Sequence, residues 1–135
     1  MPGHDPTGVE LDEAKHEMAV PSLKLLVLRT PQLHGLRRFY QLLGIDFVEE
    51  RHGSGPLHFA GRIGDAIFEI YPLESDGLAD GTLRLGFSVT DLSETIRSLE
   101  ADGATVVSQP KPTAWGNRAV VRDPDGRAVE LYGAT

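Results

Sequence analysis

The sequence predicts an α+β fold made of two βαβββ modules, and three observations carry that prediction. Each half of the 135-residue chain holds four short strand-like apolar runs and one amphipathic helix, in the same order. Matching residues recur at a nearly constant interval: Val27 with Val89, Gly44 with Gly103 and Glu69 with Glu130, at offsets of 62, 59 and 61 residues, as expected of an internal duplication. Glycine-bearing turns punctuate the two halves at corresponding places. One copy has about 55 residues, small for an independent core. The two are therefore expected to pack together in one domain over residues 22–135, with modules at about 22–72 and 83–133.

The elements follow in order. Residues 1–21 are polar and carry Pro2, Gly3, Pro6, Gly8 and Pro21, which reads as a flexible acidic arm with at most a short helix from Val9 to Met18. "SLKLLVLR" (22–29) is a buried strand. In "LHGLRRFYQLLG" the residues Leu33, Leu36, Phe39, Tyr40 and Leu43 recur at helical steps, and Gly44 takes the left-handed position that ends the helix. "DFVEERH" (46–52), "LHFAGRI" (57–63) and "AIFEIY" (66–71) are strands separated by "GSGP" and "GD" turns. After the polar linker "PLESDGLADG" (72–81), "LRLGFSV" (83–89) opens the second copy. Asp91 caps its helix, with Glu94 closing a capping box; Leu92, Ile96 and Leu99 form the buried stripe and Gly103 ends it. "TVVSQ" (105–109), "NRAVVRD" (117–123) and "AVELY" (128–132) complete the module. "DPDG" (123–126) has the proline and glycine of a type I turn.

Composition narrows the function classes. Hydrophobic residues make up 40% and charged residues 24% of the chain, ordinary for a globular protein. The absence of cysteine excludes disulfides and thiolate chemistry and fits a cytoplasmic protein. No basic patch precedes an apolar stretch at the N-terminus, so no signal peptide is expected, and no apolar run is long enough for a membrane span. The net charge of −7 argues against a nucleic-acid partner. Most of that charge lies in residues 1–21, so the body is near neutral and implies nothing about a cationic ligand.

Two strands hold a glutamate inside an apolar run: Glu69 in "AIFEIY" and Glu130 in "AVELY". Strand alternation puts Phe68, Ile70, Val129 and Leu131 on one face and the glutamates on the other. With one helix per module, the apolar face lies beneath the helix and both glutamates point to the uncovered face. That face is either plain solvated surface or, because Ile67, Tyr71 and Tyr132 flank the carboxylates, the wall of a pocket. Leu23, Leu25 and Val27 share it on the first strand; Arg84, Gly86 and Ser88 share it on the fifth.

The paired βαβββ order, "RRFYQLLG", "FEIY" and above all "DPDGRAVELYG" resemble the vicinal oxygen chelate superfamily of glyoxalases, dioxygenases and bleomycin-resistance proteins, over about residues 23–133. The resemblance implies that the modules curve into a cup-shaped, mixed eight-stranded barrel with the helices outside. It also implies a small-molecule site, which in metal-dependent members holds a divalent ion. Glu130 and Glu69 match the glutamate ligands of that ion. The first-strand ligand positions align with Leu23 and Arg84, and neither coordinates a metal. No metal and no cofactor is therefore expected. The Arg84 guanidinium is expected to replace the ion and to lie within salt-bridge reach of Glu130, Glu69 or both.

Other residues fit around this picture. His58, mid-strand, is a candidate to line the cup; His34 and His52 are expected to face solvent. Trp115, the only tryptophan, either anchors its loop or forms a lid over a ligand, and the resemblance favours the lid. Arg118 and Arg122 share a strand face that either holds an anionic ligand or is plainly solvated, and the solvated reading is preferred. The expected ligand-binding set is thus Arg84, Trp115, Tyr71, Tyr132, His58 and Leu23, with Glu130 and Glu69 as the catalytic candidates. The leading function is metal-independent small-molecule binding by a homodimer. The alternatives are a glyoxalase-type lyase using Glu69 or Glu130 as base, and a partner-binding module with a vestigial pocket.

Overall fold

The computed structural model describes residues 20–74 and 77–134; of the acidic arm expected over 1–21 all but the last two residues, and the short helix expected from Val9 to Met18, lie outside the described residues. The first module comprises β1 (Leu25–Thr30), α1 (Leu33–Gln41), β2 (Phe47–Glu50), β3 (His58–Ile63) and β4 (Ala66–Pro72). The second comprises β5 (Arg84–Ser88), α2 (Leu92–Ala101), β6 (Val106–Thr113), β7 (Gly116–Arg122) and β8 (Ala128–Gly133). Both modules are wired alike, with strand orders β1-β4-β3-β2 and β5-β8-β7-β6. The first strand of each runs parallel to the last, and the other pairings are antiparallel.

The eight strands form two separate four-stranded mixed sheets, where a single barrel was expected. Helices cover one face of each. Leu36, Phe39 and Tyr40 of α1 and Leu92, Ile96 and Leu99 of α2 are buried with Phe68, Ile70, Val129 and Leu131 in one continuous core that spans both modules. The alternation in β4 and β8 follows the sequence pattern: these four apolar residues are fully buried, and Glu69 and Glu130 are half-buried on the opposite face.

Local signals explain most boundaries. Gly44 and Gly103, at φ 111° and 93°, take the left-handed geometry that stops each helix. The Asp91 side chain accepts the Glu94 N–H at 3.0 Å. The capping box is only half made, because Arg97 engages the Glu94 carboxylate at 2.8 Å. β6 outruns the expected 105–109, continuing through Pro110 and Pro112. Among the described residues it is an edge strand paired only with β7, with register shifts before and after Ser108, and edges with bulges tolerate proline.

The "DPDG" turn also joins the modules. The Gly126 N–H donates to the Asp123 carbonyl at 2.9 Å, closing the turn. Asp123 is buried. Its Oδ1 accepts the backbone N–H of Asp125 and Arg127, and its Oδ2 accepts Tyr40 Oη–H from α1 at 2.7 Å and Arg127 Nη1–H at 3.0 Å. Arg127, also buried, donates to the Arg29 carbonyl of the first module at 3.2 Å. Burial, followed by the neighbouring Asp123 carboxylate, raises the Tyr40 hydroxyl pKa, so it stays a donor.

Candidate functional site

The open face of the second sheet is organised around Glu130. Cross-strand register places Gly86 on one side of it and Val120 on the other. Gly86 has no side chain and Val120 a short one, so longer residues one step away along the strands reach the carboxylate. Arg84 donates Nε–H to Oε2, and Arg118 donates Nε–H to Oε1 at 3.0 Å. Tyr132, two residues along β8 on the same face, donates its hydroxyl to Oε1 at 2.7 Å. Both carboxylate oxygens are thus engaged by three donors from three strands.

The electrostatics follow from the geometry. The hydrogen bonds from Arg118, Tyr132 and Arg84, in that order, lower the Glu130 pKa to about 2. In return the Glu130 carboxylate raises the Tyr132 and Arg118 pKa values, keeping both protonated. Two guanidinium groups against one carboxylate leave this patch one charge positive. The Arg118 side chain is 27% exposed and the Arg84 side chain 56%, so Arg84 forms the wet edge of the cluster.

The first sheet presents a different face. Glu69 lies between Val27 of β1 and Ala60 of β3. It belongs to the other sheet and does not share the Arg84 ion pair, so of the two expected partners of Arg84 only Glu130 is one. Tyr71 stacks on His58, ring centroids 4.1 Å apart and planes within 7°. His58 is buried, and the Arg29 guanidinium carbon lies over the Tyr71 ring, 5.2 Å from its centroid. Leu23 precedes β1 and is exposed. The residue that corresponds to Arg84 by register is Leu25: Leu25 lies opposite Ile67, two before Glu69, and Arg84 lies opposite Ala128, two before Glu130. The duplication offset in the first strands is therefore 59 residues, as it is between Gly44 and Gly103, and not the 62 of the Val27–Val89 alignment.

Trp115 is exposed at the tip of the short β6–β7 hairpin, with no long loop to swing. Its backbone N–H donates to Thr113 Oγ1 at 3.1 Å, that hydroxyl donates to the Gly116 carbonyl at 2.6 Å, and Gly116 has φ 106°. Trp115 and Tyr132 line a groove of about 330 Å³ together with Ser88, Val89, Asn117 and Gly133.

Arg118 is the residue sequence reasoning undervalued, since it favours a solvated face over an anion-binding one for Arg118 and Arg122; Arg122 is exposed, and its side chain donates to the Gly126 carbonyl at 3.0 Å. The available signal was parity: strand alternation puts Arg118, Val120 and Arg122 on one face of β7. The missing information was the register, which sets Arg118 opposite Tyr132.

Comparison with known proteins extends this picture. The family model described as Glyoxalase/Bleomycin resistance protein/Dioxygenase superfamily matches residues 22–131. The lactoylglutathione lyase GLX1 of Arabidopsis thaliana is 28% identical over 91 residues, covering 64% of this chain and 32% of that protein. The chain thus spans about a third of the length of that curated relative. Among solved structures, TnmS3, an antibiotic binding protein from Streptomyces sp. CB03234, superposes with a TM-score of 0.65 at 23% identity, covering 87% of this chain and 99% of that one. The lactoylglutathione lyase of Agrobacterium tumefaciens superposes with a TM-score of 0.60 at 17% identity, covering 84% and 94%. A binder and a lyase sharing one fold means that the fold alone does not choose between these functions.

Proposed function

The chain belongs to the glyoxalase/bleomycin resistance protein/dioxygenase superfamily, and from that premise we propose that it binds a small molecule on the open face around Glu130 without a metal ion at that position. The observation that carries this reading is the engagement of both Glu130 oxygens by Arg84, Arg118 and Tyr132. A divalent ion at Glu130 would have to displace a guanidinium group and then find nitrogen or sulfur donors. The corresponding first-strand residues, Leu25 and Arg84, supply none. The donor set does not fit the ion of metal-dependent relatives.

The chemistry of the face indicates the ligand class. Arg84, Arg118 and, across from Arg118 on β6, Lys111 present positive charge, while Tyr132 and Trp115 offer aromatic surface beside it. An aromatic or extended apolar molecule bearing an anionic group matches both features.

The lyase reading, with Glu69 or Glu130 as base, draws support from the lactoylglutathione lyase relatives. Glu130 is poorly suited to that role: a carboxylate with a pKa of about 2 has little drive to take a proton near neutral pH. Glu69, free of that clamp, is the base this reading would use. We further propose a cytoplasmic homodimer, in which the exposed Leu25 and Val48 of the first sheet's open face are covered by the partner copy; sedimentation analysis tests the dimer.

The function test is a thermal-shift screen of chelator-treated protein against aromatic carboxylates, thiols and cationic drugs, followed by calorimetry on the hits. Stabilisation by an anionic aromatic, weakened in Arg118→Ala, supports the reading. Turnover of the methylglyoxal–glutathione hemithioacetal that survives in Glu130→Gln and disappears in Glu69→Gln would replace it with the lyase.

A further inference from the structure

Away from Glu130, three metal-ligating side chains converge at the far end of the first sheet. Glu50 closes β2, His58 opens β3 directly opposite it in register, and His52 lies in the turn between them. One ligand atom from each falls within 4.8 Å of the others. Glu50 Oε1 is 3.3 Å from His58 Nε2 and 3.5 Å from His52 Nε2.

The hydrogen bonding of His58 makes this cluster more than a chance gathering. Its Nδ1 is 3.2 Å from the Pro56 carbonyl oxygen, which only accepts, so Nδ1 carries a proton. In the neutral ring Nε2 is then a lone pair, and it faces a carboxylate oxygen, also an acceptor, at 3.3 Å. A proton or a metal ion between these two acceptors turns that contact attractive.

The rest of the geometry favours the metal. A proton needs one acceptor and leaves the second imidazole unexplained, yet His52 brings Nε2 to the same Glu50 oxygen, its ring 5.2 Å from that of His58. Ligands about 2.1 Å from a tetrahedral ion lie about 3.4 Å apart, which is the spacing seen on both sides of Glu50 Oε1. A backbone carbonyl on the far nitrogen is the usual way a metal-binding histidine is oriented, and the Tyr71 ring stacked on His58 fixes its plane. His58 is buried, whereas the His52 side chain is 75% exposed, so a fourth position would open to solvent.

We propose that Glu50, His52 and His58 form a binding site for one zinc-like divalent transition ion, with two imidazoles and one carboxylate as protein ligands and water or an exogenous group as the fourth. The site is separate from Glu130, and bound metal would pin the 51–57 turn to β3. The sequence alone hid it, because Glu50 and His58 are eight residues apart with a turn between them, and only the hairpin register makes them neighbours.

The test is calorimetric titration of untagged, chelator-stripped full-length protein with ZnCl₂, with CoCl₂ absorption as an independent readout. The expected result is one equivalent of zinc, tetrahedral cobalt bands, and affinity lower by at least about a hundredfold in His52→Ala. His52 is exposed, so that variant keeps its fold even if His58→Gln does not. Glu69→Gln and Glu130→Gln should bind zinc as the parent does. Absence of stoichiometric uptake, which would leave the proton as the cation, overturns the proposal. So does uptake unchanged in His52→Ala, or uptake lost in either distant glutamate variant.

Discussion

Arg118 on β7 and Glu130 on β8 are joined by a 3.0 Å Nε–Oε1 hydrogen bond although neither is the other's direct cross-strand partner. The contact is diagonal, across the short side chain of Val120, and diagonal neighbours lie within reach of long side chains. Arg118 is the drier of the two guanidinium groups at Glu130. Double-mutant cycles should therefore give a larger coupling for Arg118–Glu130 than for Arg84–Glu130. The Arg84–Glu130 coupling should stay below about 1 kcal/mol, as for exposed pairs. Urea denaturation of the single and double variants checks the order, and an inverted order would show that the wet side holds the clamp.

The clamp makes stability depend on acid. An ordinary glutamate titrates near 4.5, and Glu130 is lowered to about 2 by Arg118, Tyr132 and Arg84. A depressed folded-state pKa stabilises the fold in full above the unfolded value, and the contribution is lost as pH falls through the folded one. The stability gap between the parent and Glu130→Gln should be constant above about pH 5 and shrink steadily toward pH 2. Thermal melts across that range read it directly.

Much of this was legible in the residues, and the limits have physical causes. Period-two alternation placed Phe68 and Ile70 under one helix, Val129 and Leu131 under the other, and both glutamates on the open faces. The duplication and the glycine stops gave the order of elements. Alternation assigns a face, however, and says nothing about which neighbour a long side chain reaches, so Arg118 was taken for solvent-facing and Leu23 for the counterpart of Arg84. Pro110 and Pro112 read as the end of a strand, because a linear sequence does not reveal that β6 is an edge. Asp123 looked like turn chemistry alone and Arg127 carried no signal, since their partners Tyr40 and Arg29 lie in the other module.

That inter-module latch should dominate stability. Arg127→Ala leaves the Asp123 carboxylate buried with its main cation removed, and breaking a buried pair costs about 3–5 kcal/mol. Tyr40→Phe removes one hydrogen bond to a charged acceptor and should cost about 1.5–3 kcal/mol. Chemical denaturation of the two variants gives both values, and losses under 1 kcal/mol for each would show that the modules are held by their apolar core alone.

Gly86 separates binding from folding. A Cβ added there would meet Glu130 Cβ at 3.9 Å and Tyr132 Cε1 at 4.0 Å, ordinary contact distances. Gly86→Leu should therefore fold normally, and its side chain should cover the carboxylate and lower ligand affinity at least about tenfold. Equal affinity in this variant, measured by calorimetry, would place the ligand elsewhere.

Trp115 offers an internal reporter. It is exposed and the only tryptophan in the chain, so Trp115→Ala should change stability by no more than about 0.5 kcal/mol. A ligand held in the groove it shares with Tyr132 should change its fluorescence in proportion to occupancy; a calorimetrically bound ligand that leaves the emission untouched would exclude Trp115 from the site.

The most direct measurement is calorimetry of the ligand found by screening, with the His52→Ala protein used to remove the histidine site. The titration is run after chelator treatment and again with Zn²⁺, Ni²⁺ or Mn²⁺ restored. The predicted result is one affinity under all conditions, reduced by Arg118→Ala, because fixed side chains rather than an ion balance Glu130. Binding that appears only after metal is restored, and is lost in Glu130→Gln, would contradict the account.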